Sequence, residues 1–303
     1  MVRAVIVGCG YVGLELGRQL READHEVTGV RRSDDGLDVV EATGLDPCRA
    51  DATAPSSLAS LPDAEWVIFA ASSGGRGAED AQRVYVDGLR NVIDEYAARA
   101  SPPDRLVYTS STGVYGDHGG DFVDEETPID PTTEKTRVLA EAERVAREEA
   151  AAAGIDGTVA RFAGLYGPRR YRLARYLDGP VTEGYLNMVH RDDAAGGVAF
   201  LLDADAARGE VVLVADDEPV DKWTFADWLA AECGVPSPPK RTIEERLDDP
   251  DLSTAAKRRL QTSKRCSNDR LRELGYELRY PTYREGYRDA IESFRAGTNP
   301  DDI

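Results

Sequence analysis

The chain has 303 residues, of which 41% are apolar and 31% charged, so it can form one large domain or two modest ones with a real core. No apolar run approaches the roughly 18 residues of a membrane helix, and residues 1–10 lack a signal-peptide layout, so we expect a cytoplasmic protein. Acidic residues number 56 against 37 basic ones, and the net charge of −19 excludes nucleic acids and anionic membranes as expected partners.

The acidity itself has two explanations, a specific cationic partner or adaptation to a saline cytoplasm. Only five of the 37 basic residues are lysine, and the acids are spread along the chain without forming a tail. At high salt the charges of such a surface are screened over a few ångströms. The even spread and the scarcity of lysine favour a halophilic protein.

Cysteine and histidine are scarce. The four cysteines contain no CxxC pair, and only three histidines are present. This composition argues against a disulfide scaffold, and we expect no metal site.

The first predicted element is a buried strand at residues 3–7, a short β-branched run. A glycine motif, GxGxxG, follows at once and leads into a predicted helix. Strand, glycine motif and helix in this order are typical of a dinucleotide-binding loop. Gly8 permits the tight turn, Gly10 lets the backbone approach a pyrophosphate, and Gly13 lets the helix pack closely on the strand. Tyr11 and Val12 lie between them, at the helix N-terminus that would face the phosphates.

A second strand is predicted at residues 26–30. An acidic residue at its end would bind the ribose 2′-hydroxyl of NAD, but the sequence has Arg31, Arg32 and Ser33 there. Two guanidinium groups and a hydroxyl suit the 2′-phosphate of NADP, which is therefore the favoured cofactor, with NAD as the alternative. A solvated charged turn is the other interpretation. Asp34 and Asp35 lie just beyond and would serve an NAD ribose if the loop curls back.

Two further strand ends contribute cofactor candidates. Asp51 lies where a third strand would end near the adenine, although a surface turn explains it nearly as well. The apolar run 66–71 predicts a fourth strand that ends in Ala70 and Ala71. Ser72 opens the loop 72–77 at its carboxyl end, where open α/β sheets bind ligands.

Beyond this point the chain resembles the short-chain dehydrogenase/reductase superfamily in its extended or atypical branch, which includes nucleotide-sugar epimerases and dehydratases. The resemblance rests on five segments in family order: the helix at 86–92, SSxxVYG at 110–116, RxxxxYGP at 161–168, NxxHxDD at 187–193, and residues 268–276.

The resemblance implies an acid–base Tyr in a YxxxK motif, with the Lys lowering its pKa and a Ser holding the substrate oxygen. Ser111 occupies the Ser position. When Glu141 of the long predicted helix at 133–153 is kept in register, Thr133 falls on the Tyr position and Arg137 on the Lys position. The acid–base Tyr is therefore absent, and threonine lacks useful acidity near neutral pH.

Either another residue takes this role or hydride transfer is slow or lost. Tyr115, Tyr166 and Tyr85 each lie near a strand or loop expected at the site. Our hypothesis names Tyr166 or Tyr115, with a packed aromatic as the alternative role for Tyr115.

These observations predict a Rossmann-type doubly wound parallel sheet. We expect the dinucleotide-binding domain at 1–166, with 187–215 returning to it, and a substrate lobe at 167–303. The expected activity is that of an NAD(P)-dependent oxidoreductase or epimerase/dehydratase-like enzyme acting on a small or sugar-like substrate. A non-catalytic NAD(P)-binding or redox-sensing protein is the alternative. The resemblance also implies a homodimer through the helix at 133–153, and residues 242–261 predict a charged helical stretch.

Overall fold

The computed structural model describes residues 1–74 and 77–299. It divides into two compact units. The first unit comprises residues 1–114, 134–162 and 194–212, and the second comprises 115–133, 163–193 and the chain from 213 onward. The expected return of a late segment to the first unit thus covers 194–212. Residues 115–133, which the sequence boundaries put in the first domain, lie in the second unit.

The strands of the described residues are, in chain order, β1 Arg3–Val7, β2 Glu26–Arg31, β3 Asp46–Arg49, β4 Trp66–Phe69, β5 Arg105–Ser111, β6 Phe122–Val123, β7 Asp156–Phe162, β8 Gly164–Tyr166, β9 Val181–Thr182, β10 Tyr185–Leu186, β11 Met188–His190, β12 Val211–Val214, β13 Val220–Asp221, β14 Lys240–Arg241 and β15 Arg265–Cys266.

The α-helices are α1 Tyr11–Glu22, α2 Asp34–Ala42, α3 Pro55–Leu58, α4 Ala78–Ala81, α5 Gly88–Ala97, α6 Glu134–Arg144, α7 Ala150–Ala152, α8 Ala174–Leu177, α9 Arg191–Asp203, α10 Lys222–Cys233, α11 Ile243–Leu247, α12 Thr254–Leu260, α13 Asp269–Glu273, α14 Tyr283–Gly286 and α15 Arg288–Arg295. Two π-helical turns, Gln82–Asp87 and Val145–Glu149, and one 3₁₀ turn, Thr112–Tyr115, complete the helical elements of the described residues.

A seven-stranded sheet forms the centre of the first unit. Its order is β12-β7-β5-β4-β1-β2-β3, and the strand pairs from β7 to β3 are all parallel. β1 and β4 are buried along almost their whole length, as expected for strands covered by helices on both faces. The predicted doubly wound Rossmann-type fold is therefore confirmed. Its strand order reverses between β1 and β4, where such sheets bind ligands.

Each unit has its own hydrophobic core. In the first unit, aliphatic residues of the sheet pack against α5 and the helix that begins with α6. In the second, the core is rich in aromatic rings, with Tyr166, Phe225 and Tyr287 among its members. The two cores explain why the chain separates into two units, since each unit buries its own apolar surface.

Two predicted helical segments each consist of more than one element in the structure. The long helix predicted at 133–153 is present as α6, a π-helical turn and α7 in direct succession. The charged helical stretch predicted at 242–261 contains two helices, α11 and α12. Pro250 lies between them and lacks the N–H that a continuous helix needs, and the Ser253 hydroxyl accepts from the Ala256 N–H to start α12.

Candidate active site

The glycine loop after β1 packs closely against the chain at the end of β4. Gly8 has a φ of +87°, and a Cβ built on it would lie 2.2 Å from the Cα of Ala71 and 2.8 Å from the carbonyl carbon of Ala70. No side chain fits such a space, so only glycine allows the two strand ends to approach. The sequence analysis named all three residues as cofactor contacts, and the structure brings them together at the point where the strand order reverses.

The N-terminus of α1 opens beside this loop. Gly10 is its N-cap residue, no side chain caps the helix, and its first turn contains no acidic residue. A Cβ on Gly13 would lie 3.0 Å from Ile6 Cγ2, so glycine lets α1 pack closely on β1. Tyr11 and Val12 begin α1, and the first amides of a helix point out of its N-terminus and carry a partial positive charge. This geometry suits an anionic group such as a pyrophosphate.

Arg31 reaches the glycine loop from the end of β2. Its Nη1 donates to the carbonyl of Cys9 at 3.2 Å and would lie 3.1 Å from a Cβ on Gly10. Burial raises the pKa of the Cys9 thiol to about 12, so the thiol is neutral. The Arg31 guanidinium therefore contacts the backbone of a residue whose own side chain is neutral.

The other candidates near the ribose and adenine have local partners. The Ser33 hydroxyl accepts from the Gly36 N–H at 3.3 Å and caps α2. Asp51 accepts from both the N–H and the hydroxyl of Thr53, at 2.9 and 2.8 Å, as in the surface-turn interpretation. Burial raises the pKa of Asp51, but these hydrogen bonds and the nearby Arg32 lower it below its ordinary value. Arg32 is exposed, and its Nη1 lies 3.6 Å from Asp51.

The loop after β4 carries two serines, and the second one contacts a tyrosine. The N–H and the hydroxyl of Ser73 donate to the Tyr85 hydroxyl at 3.3 and 3.4 Å. The Ser72 hydroxyl is exposed and accepts from the Gly74 N–H at 3.5 Å. The rest of the predicted 72–77 loop includes residues 75 and 76, which lie outside the described residues.

Tyr85 lies in the π-helical turn Gln82–Asp87 and is half-buried. Burial raises the pKa of its phenol, but the hydrogen bonds from Ser73 and the positive charge of Lys135 outweigh burial, and the pKa is lowered. The Lys135 Nζ lies 5.9 Å from the centroid of the Tyr85 ring.

Ser111 ends β5 and faces the first turn of α6. Its hydroxyl accepts from the Gly113 N–H at 3.2 Å. A Cβ on Gly113 would lie 3.5 Å from both the Ser111 hydroxyl and the Thr136 methyl group, so these two side chains flank Gly113. Ser110 points the other way, as alternation along a strand requires, and donates to Glu143 at 2.6 Å.

The two residues assigned to the YxxxK positions lie at the start of α6. Thr133 directly precedes the helix, and Arg137 is exposed on it. Lys135 is two positions before Arg137, about 200° around the helix, so the two side chains leave opposite faces. The face that meets Tyr85 is the one with Lys135.

Tyr115 and Tyr166 both have buried hydroxyls in the second unit. Tyr115 donates to the carbonyl of Asp124 at 2.6 Å. Tyr166 stacks on Tyr287 with ring centroids 4.8 Å apart, and burial, assisted by nearby Asp216, raises its pKa well above the ordinary value. Their role as proton donors stays a prediction, and the surroundings of both hydroxyls weigh against it.

With this geometry established, comparison with known proteins decides the family. The model of the NAD dependent epimerase/dehydratase family matches residues 4–215, more than half of the chain. The chain belongs to this family. The resemblance to the short-chain dehydrogenase/reductases is thereby confirmed.

Two relatives span nearly the whole chain of this family member. Protein YeeZ of Escherichia coli (strain K12) is 29% identical over 294 residues, which cover 93% of this chain and 97% of YeeZ. The structure of a functionally unknown conserved protein from Silicibacter pomeroyi DSS is 28% identical, with a TM-score of 0.77, and the match covers 99% of this chain and 100% of that one.

A second solved structure shares the fold. It is DesIV, a dTDP-glucose 4,6-dehydratase from Streptomyces venezuelae with NAD and TYD bound, at 20% identity and a TM-score of 0.78, covering 97% of each chain. The glycine cradle at Gly8 and the open N-terminus of α1 fit the NAD(P) that the family name implies. Within residues 1–74 and 77–299 there is no cluster of three or more potential metal ligands and no helix long and apolar enough to cross a membrane.

Sequence reasoning missed two features of this site. The first is the side chain that Lys135 contacts. The residue that meets Lys135 is Tyr85, on another helix and 50 positions earlier, so no local spacing links the pair. The second is the buried ion pair of Glu143 and Arg161. The sequence gives no signal for this pair, because Glu143 fits the pattern of an exposed helix and Arg161 lies in a predicted strand.

Proposed function

We propose that this family member is an NAD(P)-dependent oxidoreductase of the epimerase/dehydratase type that acts on a hydroxyl or carbonyl group of a small or sugar-like substrate. The observation that carries the proposal is the Gly8 cradle against Ala71, beside the uncapped N-terminus of α1. Such an arrangement holds a pyrophosphate with backbone amides. The family name, NAD dependent epimerase/dehydratase, supports a nicotinamide dinucleotide as the cofactor.

The residues around the cradle have separate tasks in this proposal. Gly8, Gly10 and Gly13 allow the backbone of the loop and α1 to contact the pyrophosphate. Ser111, at the carboxyl end of β5, holds the substrate oxygen. A bound nicotinamide supplies or accepts the hydride, and the protein must move the matching proton.

We favour NADP over NAD. Arg31 lies against the glycine loop, and the exposed Arg32 has its guanidinium only 3.6 Å from Asp51. Two guanidinium groups at the end of β2 suit a 2′-phosphate. Ser33 contributes less to this preference, since its hydroxyl caps α2.

The first test is a fluorescence titration of the full chain with NADPH and with NADH in high salt. We expect NADPH to bind more tightly. The Arg32→Ala variant should weaken NADPH binding about 10–100-fold and change NADH binding little, because a charge-assisted contact contributes about 1.5–3 kcal/mol.

A glycine pair gives the matched control for the pyrophosphate site. Gly10→Ala places a methyl group at the loop, where the first neighbour is the end of the flexible Arg31 side chain, so the variant should fold and lose affinity for both nucleotides. Gly179→Ala adds the same methyl group where nothing lies within 4 Å and should bind normally. Full affinity in Gly10→Ala would contradict the proposed site, and binding without turnover of any carbonyl or sugar-nucleotide substrate would favour the redox-sensing alternative.

A further inference from the structure

The Tyr85 hydroxyl lies close to the proposed cofactor cradle. It accepts two hydrogen bonds from Ser73, which is two residues beyond Ala71 in the loop that the Gly8 turn contacts. Two donors directed at one phenol oxygen stabilise its anionic form more than its neutral form. Tyr85 therefore lies beside the proposed cofactor cradle, in surroundings that favour the release of its phenolic proton.

Lys135 is the nearby positive charge. Its ammonium group lies 5.9 Å from the Tyr85 ring centroid and comes from α6, the helix whose next residue, Thr136, flanks Gly113 together with Ser111. Ser111, at the end of β5, and Tyr85, in the π-helical turn Gln82–Asp87, thus approach the same first turn of α6. A substrate oxygen held by Ser111 would lie on the same edge of the sheet as the Tyr85 phenol.

The other ionisable groups around Tyr85 are exposed, paired or neutral. Arg83 of the same π-helical turn pairs with Asp80 of α4 at 3.2 Å. Tyr108 of β5 is buried, and burial raises its pKa well above the ordinary value. On α6, Glu143 is buried and pairs with Arg161 of β7. Other charged side chains of these elements are exposed or half-exposed: Glu79, Asp87, Arg90, Glu134, Arg137, Glu141 and Arg144. Lys135 is the charge that acts most strongly on the phenol.

We propose that Tyr85, with Lys135 beside it and Ser73 as hydrogen-bond donor, is the acid–base residue of this enzyme and replaces the missing tyrosine of YxxxK. The inference rests on the proposed oxidoreductase function. The π-helical turn supports it, because such turns are frequent at functional sites and shift the side chains that follow them.

The proton balance is simple. In the oxidative direction the substrate O–H bond would break and its proton would move to the Tyr85 phenolate oxygen, and a bound NAD(P)⁺ would accept the hydride that leaves the carbon as it becomes a carbonyl carbon. In the reductive direction Tyr85 donates its proton to the carbonyl oxygen. Lys135 and the Ser73 N–H stabilise the phenolate left behind, and solvent returns the proton.

The first experiment titrates the tyrosines of the protein without nucleotide, labelled with ¹³C at Cζ and followed by NMR. We expect one tyrosine to ionise below the others and its signal to vanish in Tyr85→Phe. Lys135→Met should raise that pKa, and Lys135→Arg should largely restore it. Arg137→Met removes the same charge two residues along α6 and should leave the pKa unchanged.

A matched tyrosine control checks the assignment. Tyr96→Phe removes a hydroxyl from the same unit, one that donates to the Pro62 carbonyl at 3.0 Å, and should keep the early-titrating signal. The proposal is overturned if no tyrosine titrates early, if the signal survives in Tyr85→Phe, or if Lys135→Met leaves it in place.

The second experiment measures turnover with NADPH on a panel of aldehydes, ketones and nucleotide sugars. Tyr85→Phe should lower kcat by about 10²–10⁴-fold with the NADPH dissociation constant unchanged, and Lys135→Met should move the pH profile of kcat toward higher pH. A Tyr85→Phe variant with the wild-type rate overturns the inference. Wild-type protein that binds NADPH but reduces nothing on the panel counts against the proposed function instead.

Discussion

At the scale of single residues, burial decides the charge of His190. Its imidazole is 2% exposed and lies between the rings of Tyr280 and Tyr166, at centroid distances of 3.9 and 5.3 Å. Burial lowers its pKa to about 4, although Asp192 acts in the opposite direction. The Asp192 N–H donates to Nδ1 at 3.2 Å, a bond that only the neutral ring accepts.

A pH dependence of stability follows. Between pH 6.5 and pH 4 the unfolded chain protonates this histidine and the folded protein does not, so stability is complete above pH 6.5 and falls as the pH drops toward 4. The loss attributable to His190 is about 3 kcal/mol. Urea unfolding at several pH values should give a shallower slope in His190→Asn than in the wild type over this range, and equal slopes would contradict the assignment.

At the scale of elements, α6 shows which of its glutamates anchors the helix. Glu143 is 4% exposed, pairs with Arg161 of β7 at 2.6 Å and accepts from Ser110 of β5. Glu141 is partly exposed and pairs with Arg90 at 3.2 Å. The helix is therefore fixed to two strands of the sheet through Glu143.

This anchoring bears on the YxxxK register. The assignment of Thr133 and Arg137 keeps Glu141 aligned. If the buried Glu143 is aligned instead, the two positions move to Lys135 and Leu139, and the tyrosine is still absent. Neither register places a tyrosine at the first position of the motif, whereas the identity of the residue at that position depends on the register.

The two glutamates give a matched pair of variants. Glu143→Ala leaves a buried arginine without its counter-charge and should lower the free energy of unfolding by about 3–5 kcal/mol. Glu141→Ala removes a partly exposed pair and should cost about 0–1 kcal/mol. Urea unfolding of both proteins measures the difference. If Glu143→Ala does not fold, Glu143→Gln, which keeps an acceptor for Ser110, should still be less stable than Glu141→Ala.

At the scale of the whole molecule, the net charge of −19 means that the charged side chains repel one another on balance. Arginines offset it locally, as where Arg208 pairs with Asp104, Asp156 and Asp205 at 2.6–2.7 Å. The excess of acid repels itself at low salt, and screening weakens this repulsion because the Debye length falls from about 10 Å at 0.1 M to about 3 Å at 1 M.

We therefore expect the Tm to rise between 0.1 and 2 M KCl. Sucrose at matched osmolality stabilises through exclusion from the surface and not through screening, so it should raise the Tm less than KCl does. A Tm that is unchanged or lower in 2 M KCl would contradict the halophilic interpretation. The homodimer stays a separate prediction, which size-exclusion chromatography in the same buffers would test.

The sequence by itself determined what depends on neighbours along the chain. Short β-branched runs predicted β1, β2 and β4, the glycine spacing predicted the loop at Gly8, and the five family segments predicted the doubly wound sheet. The strands and the glycine loop follow from local sterics and from periodicity, which depend on neighbouring residues and not on tertiary contacts. The absence of any tyrosine between Tyr115 and Tyr166 can also be read directly from the sequence.

Only the tertiary structure decided which distant side chains meet. It brought Ala71 against Gly8, Lys135 beside Tyr85, and Glu143 against Arg161, contacts between elements that are far apart in sequence. It also buried the hydroxyls of Tyr115 and Tyr166, which the sequence hypothesis had preferred. Burial and charge pairing depend on packing in three dimensions, and the acidity of each candidate tyrosine follows from them.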